Sequence, residues 1–442
     1  MNSEVRKSPW WWIPTLYIAE GLPYFAVNTL TVLMYVRLGI GLKEMAFYTG
    51  WLYLPWVIKP FWSPFVDLFR TKRWWAIAMQ LLIGICMACV AFFLPTGFFF
   101  STTLAVFWLM AFFSATHDIA ADGYYMLELP PHDQAAFVGV RSTFYRIASV
   151  IGQGGLVILA GWLETTTGNI PLSWALVFAL LSIFFIAVAL YHMRVMPSPP
   201  DDVAQKGVTP KTILGDFCRT FVTFFKKRYV GTALAFMLLY RLPEALCIKL
   251  VQPFLVAPRD AGGLALTTSQ VGFANGTVGV IALLLGGIIG GLAISRGGLR
   301  RWLWPMALSL TLPCVFYCLL AMLQPDNFFW ISSAIFVEQF GYGFGFSAYM
   351  LYLIYFSRGE SQTSHYAFCT AFMALGMMIP GMAAGWLHEI CGEYNLLGAD
   401  GPQGYVNFFW IVMATCAATL LVCLKVHIDP AFGRKEKGKS QE

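Results

Sequence analysis

The stretch Phe113–Met126, FSATHDIAADGYYM, carries two carboxylates, Asp118 and Asp122, four residues apart, with His117 directly before the first. Four residues make about one helical turn, so on a helix the two acids share a face. The residues around them are apolar enough for a membrane span, where a charged side chain at mid-bilayer costs about 2.5–3.5 kcal/mol on insertion scales. Groups kept there need partners, water or a function. The chemistry they could do is proton exchange, which makes Asp118, Asp122 and His117 the candidate proton-coupling group. Asp118 comes foremost, because Asp122 has a candidate cation in Arg146 on the following span. An Asp122–Arg146 pair would be either a permanent tie between two helices or a latch formed in one state.

Glu20, Arg241, Glu244 and Glu338 also fall within apolar segments and are candidates for a substrate cavity. Glu20, Arg241 and Glu338 each lie about ten residues into their segments, which at ~1.5 Å per residue is near mid-membrane. Tyrosines such as Tyr124, Tyr125, Tyr145, Tyr342, Tyr349 and Tyr352 offer ring faces with polar rims, which suit sugar rings. An enzyme using His117 and Asp118 as acid and base has no nucleophile motif or metal constellation to support it. Cys86 and Cys89 have C-x-x-C spacing without a second pair, which favours packing over metal binding. No disulfide framework, metal or cofactor is expected, only a proton gradient.

Helices must hold these groups. Of 442 residues, 58% are hydrophobic and only 12% charged, outside the balance of a soluble domain. Long apolar runs broken by Gly and Pro predict an all-α membrane protein, since the alternating segments of a barrel are absent. Met1–Pro9 is short and polar, and the apolar run after it is too long for a signal-peptide core, so the first span is expected to stay. Twelve segments are long enough to span, near 10–36, 44–66, 74–94, 101–127, 136–163, 172–193, 229–256, 269–295, 301–322, 328–356, 363–389 and 404–427. With both termini cytoplasmic, only Arg37, Lys43 and Arg259 among the basic loop residues fall outside, as the positive-inside rule requires.

The longest polar connection, Arg194–Arg228, divides the chain into six spans and six. The expected parts are an N-terminal half over 1–193, a cytoplasmic linker over 194–228 with an amphipathic helix at Lys211–Lys227, a C-terminal half over 229–427 and a tail over 428–442. The halves echo each other. SPFVDLFRTKR (Ser63–Arg73) follows the second span and GLAISRGGLRR (Gly291–Arg301) the eighth, while EGLPY (Glu20–Tyr24) in the first answers YRLPEA (Tyr240–Ala245) in the seventh. Such duplication is how many transporters are built. Small residues at Gly152, Gly154, Gly155 and Gly161, at Gly286, Gly287, Gly290 and Gly291, and at Gly376, Gly381 and Gly385 would permit close helix approach, static or sliding.

The loop GLAISRGGLRR resembles the signature Gly-x-x-x-Asp-Arg-x-Gly-Arg-Arg of the major facilitator superfamily, with Gly291, Arg296, Gly298 and Arg300 in place and Ser295 for the acid. The first copy keeps the acid as Asp67. The resemblance implies the twelve-helix facilitator fold, with the first, fourth, seventh and tenth spans lining the cavity and Asp67, Arg296 and Arg300 in gating contacts. More narrowly, EGLPY, KPFWSPFVD (Lys59–Asp67), THDIAADGYY (Thr116–Tyr125), FYRIASVIGQGG (Phe144–Gly155) and HYAFCTAFMALGMMIPGMAAGW (His365–Trp386) together resemble the AmpG-type muropeptide permeases. That resemblance implies a monomeric, proton-driven importer of N-acetylglucosaminyl-1,6-anhydro-N-acetylmuramyl peptides in the bacterial inner membrane, with lipids and protons as its other partners and no nucleic acid. The family's Gln-Asp and second Asp correspond to His117, Asp118 and Asp122, and its Tyr-Arg to Tyr145 and Arg146; His117 departs from the usual Gln. An acyl-CoA or another amphiphilic anion such as a sugar conjugate stays open as cargo, with Arg241 and Lys249 as its cations.

Overall fold

The structure, a computed structural model, describes residues 8–129, 131–199, 202, 210–359, 362–395, 402, 404–430 and 432; at 64–65, 67–69, 131–136, 138–139, 142, 210–214, 216–217 and 362–363 the backbone alone is described. The side chain of Asp67, residues 200–201 and 203–209 of the expected linker and 433–442 of the tail therefore lie outside the described residues.

Among the described residues all regular structure is helical, and every one of the twelve hydrophobic segments forms helix. The first comprises α1 (Ile13–Phe25) and α2 (Thr31–Arg37), joined by a π-helical turn at Ala26–Leu30. Then come α3 (Leu42–Trp51), α4 (Leu54–Phe69), α5 (Lys72–Phe93) and α6 (Phe99–Glu128). Helix α7 (Pro131–Val150) passes through a second π turn into α8 (Leu156–Thr167), followed by α9 (Ile170–Val195) and α10 (Pro210–Phe225). Next are α11 (Val230–Leu239) and α12 (Leu242–Val256), then the short α13 (Thr268–Val271), continued by a π run into α14 (Val280–Gly297). The chain ends with α15 (Leu299–Thr311), α16 (Val315–Leu323), α17 (Phe328–Ser357), α18 (Gln362–Glu393) and α19 (Gly404–Lys425).

Among the described residues, eight helical runs are long and apolar enough to cross a membrane by length and composition. The expected spans near 10–36, 44–66, 229–256 and 328–356 are not among them. Two of these are interrupted, at Leu52–Tyr53 and at Tyr240–Arg241, and in each case a proline, Pro55 or Pro243, sits in the first turn of the next helix. Proline fits there because that turn's N–H groups have no partner inside the helix. The other two carry the buried acids Glu20 and Glu338. Elsewhere the ends follow ordinary capping. Thr71 accepts from Trp74 N at 3.0 Å to start α5, Asn169 accepts from Leu172 N at 3.0 Å to start α9, and α8 ends at Gly168 with φ +64°.

The chain clusters into two compact units, residues 1–40 with 52–216 and residues 41–51 with 217–442. In the first, α5 packs on α6 and α9, and α1 on α6 and α7. Its buried centre at one end joins Trp12, Leu16 and Tyr17 to Ala120, Tyr124 and Met196. The α1–α7 crossing depends on Gly21, where a Cβ would stand 2.8 Å from that of Ala148. In the second unit α17 packs on α14 and α15, and α18 on α3 and α12. Added Cβ atoms at Gly286 and Gly343 would collide with the carbonyl oxygens of Phe340 and Leu283, so α14 and α17 meet backbone to backbone. Other glycines of the expected stripes, Gly155 and Gly291, face open space.

In each half the third of the six hydrophobic segments is fastened at its start by a stretch that follows the sixth. The Asp202 carboxylate accepts from Lys72 N at 2.6 Å and Arg73 N at 3.0 Å, capping α5 from a distant part of the chain, while Tyr124 donates to Pro197 O at 2.9 Å. In the second unit Leu299 N, at the start of α15, donates to Phe432 O at 3.0 Å, and the Arg358 guanidinium lies 4.2 Å from the Phe432 ring centroid. The turn into α15 needs Gly298, whose φ of +80° lies in the left-handed region.

Candidate functional site

Four helices of the first unit aim polar side chains at one place. Tyr17, Glu20 and Tyr24 occupy one face of α1 by their spacing of three and four residues, as do Asp118, Asp122 and Tyr125 on α6 and Arg141 and Tyr145 on α7. Helix α4 adds Trp56 and Lys59. Asp118 Oδ2 accepts from Trp56 Nε1 at 3.1 Å and lies 3.6 Å from Lys59 Nζ. Asp122 Oδ1 accepts from Arg141 at 2.7 Å and from the Tyr17 hydroxyl at 3.2 Å. The Arg141 guanidinium also stacks 4.6 Å from the Tyr17 ring centroid and 5.1 Å from that of Tyr125. Two carboxylates thus hold two cations. The third acid, Glu20, is buried among them, and its Oε2 has no hydrogen-bond partner.

Two sequence expectations need correction here. Asp122 pairs with Arg141, not Arg146, which stands exposed. The reason is the start of the helix: α7 begins at Pro131, five residues before the expected span, so Arg141 takes the depth assigned to Arg146. Nor is Asp118 the acid without a cation, because Lys59 reaches it from α4.

His117 points elsewhere. Its Nε2 lies 2.9 Å from Gln80 Nε2, Gln80 Oε1 lies 2.9 Å from His192 Nδ1, and His192 Nε2 lies 2.8 Å from Thr15 Oγ1. This buried chain ties α6, α5, α9 and α1 together, and His117 Nδ1 has no partner. Gln80 and His192 were not singled out by sequence. A histidine near the end of α9 and a glutamine in α5 carry no spacing signal that would pair them.

In the second unit Arg241 sits at the break between α11 and α12 and is held in a fork by Glu244, at 2.7 and 2.6 Å. It donates to the Tyr342 hydroxyl at 3.0 Å and lies 4.9 Å from the Phe346 ring centroid. Glu338 Oε2 accepts from Tyr317 at 3.0 Å and from Gln339 at 2.8 Å. Lys249 donates to Thr49 Oγ1 at 3.1 Å. Of the tyrosines expected at a cavity, Tyr124, Tyr349 and Tyr352 are buried core residues, and Tyr145 packs its ring against Phe25. Arg296 and Arg300 are exposed and make no ion pair among the described residues.

Over residues 15–353 the chain matches the Major Facilitator Superfamily. It belongs to that superfamily. This facilitator is 28% identical over 386 residues to the anhydromuropeptide permease of Escherichia coli (strain K12), covering 85% of this chain and 74% of that protein. It is 24% identical over 426 residues to the putative transporter AmpG 4 of Rickettsia conorii (strain ATCC VR-613 / Malish 7), covering 94% and 96%. Among solved structures it is similar to a bacterial homolog of the human lysosomal transporter Spinster, with a TM-score of 0.69 at 15% identity over 96% of both chains. A D-xylose-proton symporter gives a TM-score of 0.67 at 13% identity over 93% of this chain and 95% of that one. At such identities the structures speak for the fold alone. Membership makes the chain a multi-pass membrane facilitator that moves a small molecule, not an enzyme.

Proposed function

We propose that this facilitator imports cell-wall-derived N-acetylglucosaminyl-anhydromuramyl peptides across the bacterial inner membrane, driven by the proton gradient, with both termini in the cytoplasm, and so serves peptidoglycan recycling. What supports this cargo is the similarity to the anhydromuropeptide permease, which aligns with 85% of the chain. One observation supports the coupling above all: three acids and two cations from four helices gather in one unit, and Lys59–Asp118 and Arg141–Asp122 leave one acid in excess. A proton taken up there removes the excess charge, which lowers the cost of rearranging the helices within a membrane. The second-unit groups Arg241, Glu244 and Glu338 would contact cargo, and His117 would hold the fourth span in register beside the coupling acids. A polyanion such as an acyl-CoA fits less well, since Arg241 already carries a bidentate carboxylate.

The test is uptake of radiolabelled anhydromuropeptide into proteoliposomes under an inward proton gradient. Wild-type protein is expected to accumulate cargo, and Asp118→Asn to lose gradient-driven accumulation because it frees Lys59 to neutralise the excess acid. Absence of uptake by correctly oriented wild-type protein would remove the muropeptide assignment.

A further inference from the structure

The three acids of the first unit differ in what surrounds them. Asp122 has a 40% exposed side chain, the Arg141 guanidinium at 2.7 Å and the Tyr17 hydroxyl. Asp118 has Lys59 and the Trp56 indole. Glu20 is only 9% exposed, its Oε2 has no hydrogen-bond partner, and among the described residues no cation lies within ion-pair distance of it. The groups facing it are Asp118 and Asp122 from α6, Arg141 and Tyr145 from α7, Lys59 from α4, and its own neighbours Tyr17 and Tyr24.

From this we infer that Glu20 is the residue that carries the transported proton, while Asp118 and Asp122 are permanent anions that hold Lys59 and Arg141 in place. The inference rests on the proton-driven reading above and names its site. Its charge count is simple. With a proton on Glu20, the five groups are neutral as two pairs and one acid. Without it, one negative charge remains, and the cation best placed to answer it is Arg141, which interacts with Asp122 and Glu20 alike. Loss of the proton therefore draws Arg141 of α7 from Asp122 on α6 towards Glu20 on α1, across the α1–α7 crossing that Gly21 keeps close. A metal cation would suit the place poorly, because Lys59 and Arg141 already supply positive charge where it would sit, whereas a proton is covalently part of the acid.

The experiment has an arm that needs no cargo. Infrared difference spectra of the protein in lipid, recorded as pH is stepped upward, are expected to show a carboxylic-acid carbonyl band that disappears, to lose that band in Glu20→Gln, and to show it at a shifted position in Glu20→Asp. A band unchanged in both variants overturns the inference; the aspartate variant decides the matter where the glutamine variant does not fold. In the transport arm, Glu20→Gln is expected to lose gradient-driven accumulation of anhydromuropeptide while keeping exchange between equal internal and external pools. Accumulation at the wild-type level in Glu20→Gln, or accumulation driven by a sodium gradient in place of protons, overturns it. If wild-type protein moves no anhydromuropeptide, the cargo assignment falls, and the infrared arm still decides Glu20.

Discussion

Lys59 and Asp118 illustrate how far single residues can be understood alone. Removing one partner of a desolvated pair leaves the other charge uncompensated, whereas removing both is milder. Lys59→Met is expected to lower the unfolding temperature in detergent, and Lys59→Met with Asp118→Asn to recover much of it, with a coupling of roughly 0.5–3 kcal/mol. Simple additivity in that cycle would mean the 3.6 Å contact contributes nothing. Asp118 and Asp122 were legible as a pair from their spacing, which any helix would turn into a shared face. Their partners were not. Pairing across helices depends on depth, and a five-residue difference in where α7 starts moved the partner of Asp122 from Arg146 to Arg141. Glu20 was legible as an intramembrane acid, but its lack of a partner depends on four helices at once.

At the scale of elements, each of the twelve hydrophobic runs coincides with helix among the described residues, eight of them in helices long and apolar enough to cross a membrane, and Pro55 and Pro243 stand at two places where a run restarts. What run length cannot express is which small residue meets another backbone. Gly286→Ala and Gly343→Ala are expected to destabilise by about 1–3 kcal/mol, because a methyl group there must push a carbonyl of the facing helix. Gly291→Ala, with nothing within 4 Å, is expected to leave the unfolding temperature unchanged or raise it. Thermal unfolding of the three variants in one detergent checks this, and equal losses in all three would mean that helix propensity, not crossing geometry, governs these positions. The alternation of tight and open glycines along α14 also explains why the stripe looked uniform in sequence: composition reports size, not the neighbour.

For the molecule as a whole, the proposed orientation puts α10 on the cytoplasmic side. Cys218 on that helix is exposed, Cys89 is half-buried and the remaining thiols are buried, so native chemistry already supplies a probe. A membrane-impermeant maleimide is expected to label Cys218 in inside-out vesicles and not in intact spheroplasts, with Cys218→Ser removing the signal. Labelling from the outer side would invert the topology and with it the direction assigned to the proton.

The capping of α5 by Asp202 and of α15 by Phe432 bears on biosynthesis. A nascent chain lacks the first fastening until the ribosome has passed residue 202, beyond the end of α9 at Val195, and lacks the second until it has passed residue 432, beyond the end of α19 at Lys425. Each half therefore stays incompletely tied during most of its own synthesis, and a premature stop only a few codons short of either point would release a chain with every hydrophobic segment of that half present and the start of one helix left open to quality-control proteases.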